Sequence, residues 1–194
     1  MEQSDQIIIQ EVLRDNPQAY ETLVRRYQDY VFTVVLRILK KREVAEEVAQ
    51  DVFVKAYRTL RSFKGNSKFS TWLYTIAYRS AIDEVRKKKY PIDAIDAENN
   101  ALQIADTYDQ NPIAKTQQGN LKTVLQEQIQ QLKTEDAAVV TLHYLQEKSV
   151  KEVAEITGLS LSNVKIKLYR SREILKKKLQ HYLGDELQDL ISDF

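Results

Sequence analysis

Two stretches of this 194-residue chain carry aromatic, small polar and cationic side chains at spacings suited to holding nucleic acid. The first is FKGNSKF, residues 63–69, followed directly by STWLYTIAYRSAIDEVRKKK. In the loop, Gly65, Asn66 and Ser67 are small and polar, and with Phe63, Lys64, Lys68 and Phe69 around them they suit a pocket for an extruded base. Ser70 reads as the cap of a helix beginning at Thr71. On that helix Trp72, Thr75, Arg79 and Arg86 fall on one stripe, while Leu73, Ala77 and Ser80 face elsewhere. Flat side chains stack on bases and cations follow the phosphate backbone, so the stripe suits single-stranded or distorted nucleic acid. Trp72 alone would read as a core residue; the loop before it turns the balance toward binding.

The second stretch is SVKEVAEITGLSLSNVKIKLYRSREIL, residues 149–175. Val150, Val153 and Ala154 pack inward in a short helix, Gly158 takes the positive φ of a tight turn, and Ser160 caps the next helix. In that next helix Leu161, Val164, Leu168, Ser171 and Leu175 share one face. Ser162, Asn163, Ile166, Tyr169 and Arg170 therefore point outward, flanked by Lys165, Lys167 and Arg172. This is the build of a helix-turn-helix recognition helix, with a central strip for base edges in the major groove and flanking cations for phosphates. The bland alternative, a solvated lysine-rich face, does not account for an exposed isoleucine and tyrosine. Ile166 suits the methyl group of thymine, Lys165 and Arg170 suit guanine edges, and Lys167 suits a phosphate.

No catalytic constellation competes with these stretches. The chain has no phosphate-cradling glycine loop and no serine nucleophile motif, and Glu46, Glu47 and Asp51 have no histidine near them in sequence. The two histidines, His143 and His181, offer little metal capacity, and His143 lies in an apolar helix as a structural residue. The absence of cysteine excludes disulfides and thiolate metal sites. No cofactor and no catalysis are expected. A net charge of +1 hides a segregation: residues 61–89 hold eight Lys or Arg against Asp83 and Glu84, whereas residues 91–120 hold five acids against Lys115. The N-terminus lacks a basic leader and no apolar run approaches a membrane span, so no membrane insertion and a cytoplasmic location are expected.

The elements that must position these residues are helical throughout. With 43% apolar residues, four Gly and three Pro, the chain reads as folded and helix-rich. Asn16 and Pro17 open a long amphipathic helix in which Tyr20, Leu23, Val24, Tyr27, Tyr30, Val31, Val34, Val35 and Ile38 recur every three or four positions. A second helix follows, with Val44, Val48, Val52 and Tyr57 on one stripe and Glu46, Glu47, Gln50 and Asp51 largely off it. The expected fold class is all-α: a helical domain over 1–90, a flexible acidic linker over 91–120, a helix-turn-helix domain over 121–183 and an acidic tail over 184–194.

The run AEEVAQDVFVKAYRTLRSFKGNSKFSTWLYTIAYRSAIDEVRKKK and the helix-turn-helix, in that order, resemble the two-domain sigma factors of bacterial RNA polymerase, specifically the extracytoplasmic-function group of the sigma-70 family. The resemblance spans about Asn16 to Leu183. It implies that Glu47, Gln50 and Asp51 lie on the surface docking on the polymerase clamp helices, and that polymerase core is met at its flap as well. It implies that residues 63–69 and the helix after them engage the melted minus-ten element, and that Lys165, Tyr169 and Arg170 read the duplex minus-thirty-five element. It also implies a path for the acidic linker through the polymerase channel that RNA later occupies, and it admits an anti-sigma factor as a further partner. Many relatives have asparagine where this chain has Arg79 and a small polar residue where it has Ile166. Two other readings stand beside it: a polymerase-independent helix-turn-helix operator-binding regulator, and an adaptor that binds only proteins. The first would ordinarily carry an effector pocket or dimerisation element, and neither is visible; the two basic helices speak against the second.

Overall fold

In a computed structural model of the protein, residues 3–89 and 117–183 are described. The acidic linker and the acidic tail expected from the sequence lie outside them, apart from residues 117–120, which open a helix. Among the described residues there are eight α-helices and no strand.

The first four helices form one layered body. α1 (Asp5–Leu13) is capped by Ser4 and buries Ile8 and Ile9. A single 3₁₀ turn at Pro17–Ala19 leads into α2 (Tyr20–Leu39), so Pro17 opens the turn ahead of the long helix rather than the helix itself. α2 buries Leu23, Val31, Val34, Val35 and Ile38 and stops where Lys40 takes φ 61°. After only two residues α3 (Arg42–Thr59) runs back along it, burying Ala45, Val48, Ala49, Val52 and Ala56. Two tyrosines assigned to these buried stripes stay at the surface: Tyr30 is half exposed, and Tyr57 lies against the ring of Tyr20 with centroids 5.0 Å apart. Alanines fill the α2–α3 contact instead, because close-packed helix axes leave little room for large rings.

α4 (Phe69–Lys89) begins two residues earlier than the start expected at Thr71. The amides of Thr71 and Trp72 donate to Lys68 O at 3.0 and 3.2 Å, so Ser70 sits inside the first turn, buried. α4 buries Leu73, Tyr74, Ala77, Tyr78 and Ala81.

The second body starts at α5 (Gln117–Gln130), followed by α6 (Thr134–Val140) and a π-helical turn at Thr141–Leu145. His143 Nδ1 donates to Lys148 O at 2.7 Å and staples the connection to α7, a structural role as expected. α7 (Val150–Thr157) starts with a full capping box, in which Glu152 N donates to Ser149 Oγ and Glu152 Oε2 accepts from Ser149 N. Gly158 ends it at φ 73°, and Ser160 Oγ accepts from Asn163 N at 3.3 Å to start α8 (Leu161–Leu183). An added Cβ at Gly158 would meet nothing within 4 Å, so glycine is required there by its backbone angle and not by space.

The two bodies are docked. Ala138, Val139, Leu142, Val153, Ile156, Val164 and Leu168 join the buried residues of α1–α4 in one continuous core. Polar contacts seal the seam: Tyr74 OH donates to Gln146 Oε1 at 3.1 Å, Lys148 Nζ to Ser70 Oγ at 3.0 Å and Arg37 Nη1 to Gln126 O at 3.2 Å.

Candidate nucleic-acid interface

The loop at residues 63–69 is an open polar rim over a packed aromatic floor. Phe63, Phe69 and Trp72 meet with ring centroids 5.4–5.8 Å apart, and Tyr27 closes on Phe69 at 5.6 Å. Phe69 is buried at 4% exposure and Phe63 and Trp72 are half-buried, so two residues expected in the base-binding pocket, Phe63 and Phe69, belong to its floor. Lys64, Gly65, Asn66 and Lys68 are exposed and Ser67 is half-buried. Gly65 at φ 72° turns the chain outward over that floor. Along α4, Trp72 and Thr75 are half-buried and Arg79 and Arg86 exposed, one below the other. The Thr75 hydroxyl is used inside the helix, donating to Thr71 O at 2.9 Å. Arg86 pairs loosely with Asp83 at 3.8 Å, a surface contact of little strength.

On α8 the sequence-derived faces separate in the structure at all but two positions, Leu161 and Lys167. Val164, Leu168, Ser171 and Leu175 are buried, while Ser162, Asn163, Lys165, Ile166, Tyr169, Arg170 and Arg172 are exposed, with Ile166 at 46% and Tyr169 at 60%. Leu161 departs from the inward face assigned to it and is 51% exposed, because it is the first residue of the helix. Lys167 also departs from expectation. Its Nζ lies 2.9 Å from Asp136 Oδ1 and 3.0 Å from Glu135 Oε2.

A third surface lies along α2 and α3. Glu47, Gln50 and Asp51 are exposed on α3. Gln50 borders an open groove of about 450 Å³ between α2 and α3, walled by Val24, Phe32, Ala49 and Phe53 and rimmed by Asp29, Arg42 and Glu46.

Reasoning from the sequence missed the contacts that join the two bodies beside the loop. Glu152 of α7 reaches Lys68 at 3.5 Å and accepts from Thr71 Oγ1 at 3.4 Å, and Lys148 Nζ sits 5.3 Å from the Tyr74 ring centroid. The S-x-x-E spacing of Ser149 and Glu152 was a readable capping signal; that the same carboxylate crosses to Lys68 was not. Burial tends to raise the Glu152 pKa, but the bonds from Ser149 and the charges of Lys68 and Lys148 outweigh it and hold the carboxyl down at about 2. A depressed folded-state value stabilises the fold above the ordinary carboxylate range. That contribution is therefore expected to be lost as the pH falls from about 5 to about 2. Urea unfolding across this range should show a loss in the wild type that is smaller in Glu152→Gln; equal slopes would remove Glu152 as its source.

The fold joins a groove-bearing helical body to a helix-turn-helix body whose second helix exposes cations, the build of a two-part DNA-binding protein. Residues 23–90 match the Sigma-70 region 2 family model and residues 122–175 match Sigma-70 region 4. The chain is 34% identical to the ECF RNA polymerase sigma factor SigW of Bacillus subtilis, over 89% of this chain and 95% of that protein. It is 38% identical to the RNA polymerase sigma factor YlaC of the same organism (82% and 91%) and 32% identical to the ECF RNA polymerase sigma-E factor of Escherichia coli K12 (91% and 95%). The solved structure of CnrH in complex with the cytosolic domain of CnrY shares its fold at a TM-score of 0.65 and 20% identity, over 92% of this chain and 99% of that one. RpoE of Bartonella quintana in complex with the anti-sigma factor NepR does so at 0.63 and 20%, over 83% and 96%.

The chain belongs to the sigma-70 family of RNA polymerase sigma factors, in its extracytoplasmic-function group. It works with RNA polymerase core as a promoter-specificity factor, and its partners are that core and promoter DNA. This membership decides against the polymerase-independent regulator and the protein-only adaptor. Among the described residues no helix is long and apolar enough to cross a membrane.

Proposed function

We propose a division of labour between four functional units: residues 1–90, the connection 91–120, residues 121–183 and the tail 184–194. α8 reads the minus-thirty-five duplex through Lys165, Ile166, Tyr169 and Arg170, with Ser162, Asn163 and Arg172 beside them. The loop at 63–69 traps a base of the melted minus-ten element, and Trp72, Arg79 and Arg86 follow the same strand along α4. The protein performs no chemistry on the DNA; it offsets part of the unstacking cost of a few kcal/mol by holding the extruded base. The observation that carries this reading is the loop itself, where exposed Asn66 and half-buried Ser67 stand over the Phe63–Phe69–Trp72 floor. A rim of hydrogen-bonding groups on a rigid apolar base is what a flipped base needs for edge recognition without a large ordering cost.

The docked arrangement sets a condition on this function. The two promoter elements lie about 25 base pairs apart, which at about 3.4 Å per pair is about 85 Å of duplex. Domains in direct contact do not span that distance, so the seam through Tyr74, Gln146, Lys148 and Glu152 parts when promoter is bound on polymerase. RpoE of Bartonella quintana has an anti-sigma factor, NepR, as a partner; a partner of that class would act on this chain by holding the seam shut.

The α2–α3 groove and the exposed Glu47, Gln50 and Asp51 beside it are the proposed seat of the clamp helices, with region 4 meeting the flap. Asp51→Arg places a cation where this reading needs an acid, and should weaken pull-down of core polymerase about tenfold or more while leaving circular dichroism unchanged. An unchanged pull-down removes Asp51 from the interface.

A further inference from the structure

The cations of α8 are not equivalent. Lys165, Arg170 and Arg172 are exposed and make no ion pair with a described residue. Lys167 is only 25% exposed, and its ammonium is gripped between Asp136 and Glu135 in the first turn of α6. Tyr78 of α4 is buried beside the same cluster. A lysine has three donors, and two are committed here to charged acceptors, the stronger class of hydrogen bond. To reach a phosphate, Lys167 would have to release both carboxylates and leave them facing the DNA. Counterion release counts only the cations that neutralise phosphates, so a lysine already neutralised in this way adds nothing to the salt dependence.

The grip has a different consequence. The inward face of α8 is Val164, Leu168 and Leu175 with Ser171, and since apolar attraction is itself non-directional, directional bonds at the flank add to what side-chain packing sets for the roll of the helix about its own axis. A charge-assisted pair between one position of α8 and one turn of α6 fixes that roll. At a helix radius of about 5–6 Å a roll of about 10° moves a side-chain tip sideways by about 1 Å. That displacement is enough to spoil a recognition geometry that must be held within about 0.5 Å.

We propose that Lys167 is a positioning residue for promoter readout: held by Asp136 and Glu135, it fixes the roll of α8 so that Ile166, Tyr169 and Arg170 meet their bases, and it makes no phosphate contact. The proposal rests on the reading of α8 as the recognition helix.

The test uses full-length protein with core polymerase. Its probes are a duplex enriched from a randomised library by the wild type and a scrambled duplex of the same composition. Lys167→Met with Asp136→Asn removes one charge of each sign, so net charge is unchanged. Preference for the enriched duplex should fall about tenfold, the scale of one lost base-pair contact, while the slope of log affinity against log salt stays at the wild-type value. Lys167→Arg, which keeps the pair, should retain the preference. Equal weakening on both duplexes with a slope reduced by about 0.9 would make Lys167 a phosphate contact and overturn the proposal, as would no change at all. Should the double variant fail to fold, Glu135→Gln carries the test: a smaller loss of preference supports the proposal and tighter binding to both duplexes overturns it. Arg172→Ala, which removes an exposed flanking cation, serves as the reference and should lower the slope by about 0.9. If Lys165→Ala and Tyr169→Ala both leave binding untouched, the reading of α8 fails and the proposal with it. If they behave as expected and the Lys167 variants do not, only the proposal fails.

Discussion

Tyr74→Ala is expected to cost about 3–5 kcal/mol of unfolding free energy, the range for removing a large buried ring, and to part the two domains. Tyr74 is 3% exposed on α4 and lies on the seam, its hydroxyl on Gln146 and its ring beneath Lys148. Burial first, and then the neighbouring Tyr30, push its pKa up, so the phenol stays protonated and donates across the whole working pH range. Tyr74→Phe separates the two roles of the side chain. It keeps the ring but leaves the buried Gln146 acceptor unpaired, which costs about 1–3 kcal/mol. Urea unfolding followed by circular dichroism measures both variants, and small-angle scattering measures the separation. A compact chain of this length has a radius of gyration of about 16 Å, and the alanine variant should exceed the wild type by several ångström. If alanine costs no more than phenylalanine and the radius stays unchanged, the seam does not depend on this ring.

The contrast between Tyr74 and Ile166 shows which parts of the molecule were legible in the sequence. Ile166 sits within a helix whose inward residues follow a regular 3.6-residue period, so its exposure follows from local pattern alone, and the structure agrees. The turn at Gly158 and the cap at Ser160 were legible for the same reason, since both are governed by residues within three positions. Tyr74 is buried by Gln146 and Lys148, more than seventy residues away in the chain, and no local period announces that. The ion pairs of Lys167 were illegible in a similar way. A lysine on the flank of a recognition helix looks like every other flanking cation until the fold brings Glu135 and Asp136 against it. Phe69 reads as part of the base pocket from the polar loop around it; that its ring is buried where Tyr27, Phe63 and Trp72 converge, as the floor and not the rim, depends on residues the loop's pattern does not contain.

That convergence sets the second large effect, at Asn66 and Ser67. With the aromatic floor packed and buried, the groups left to hold the edge of an extruded base are the polar side chains of the rim. Replacing both with alanine removes about two hydrogen bonds at about 1 kcal/mol each, so transcription from a fully paired promoter should fall by about thirtyfold. Both residues lie outside the core, so folding stability should move by no more than about 0.5 kcal/mol. The loss should shrink to within about threefold on a template already unpaired at the minus-ten element, where no base has to be unstacked and the loop has only to hold it. Gly65→Ala is the companion variant. A methyl group there meets nothing within 4 Å, but φ 72° is a left-handed angle that costs a residue with a Cβ about 1–2 kcal/mol. It therefore perturbs the path of the loop without touching its hydrogen-bonding groups, and should give a smaller loss with the same rescue on the unpaired template. If Asn66→Ala with Ser67→Ala is equally impaired on paired and unpaired templates, the loop acts before melting or outside it, and base capture is the wrong account of residues 63–69.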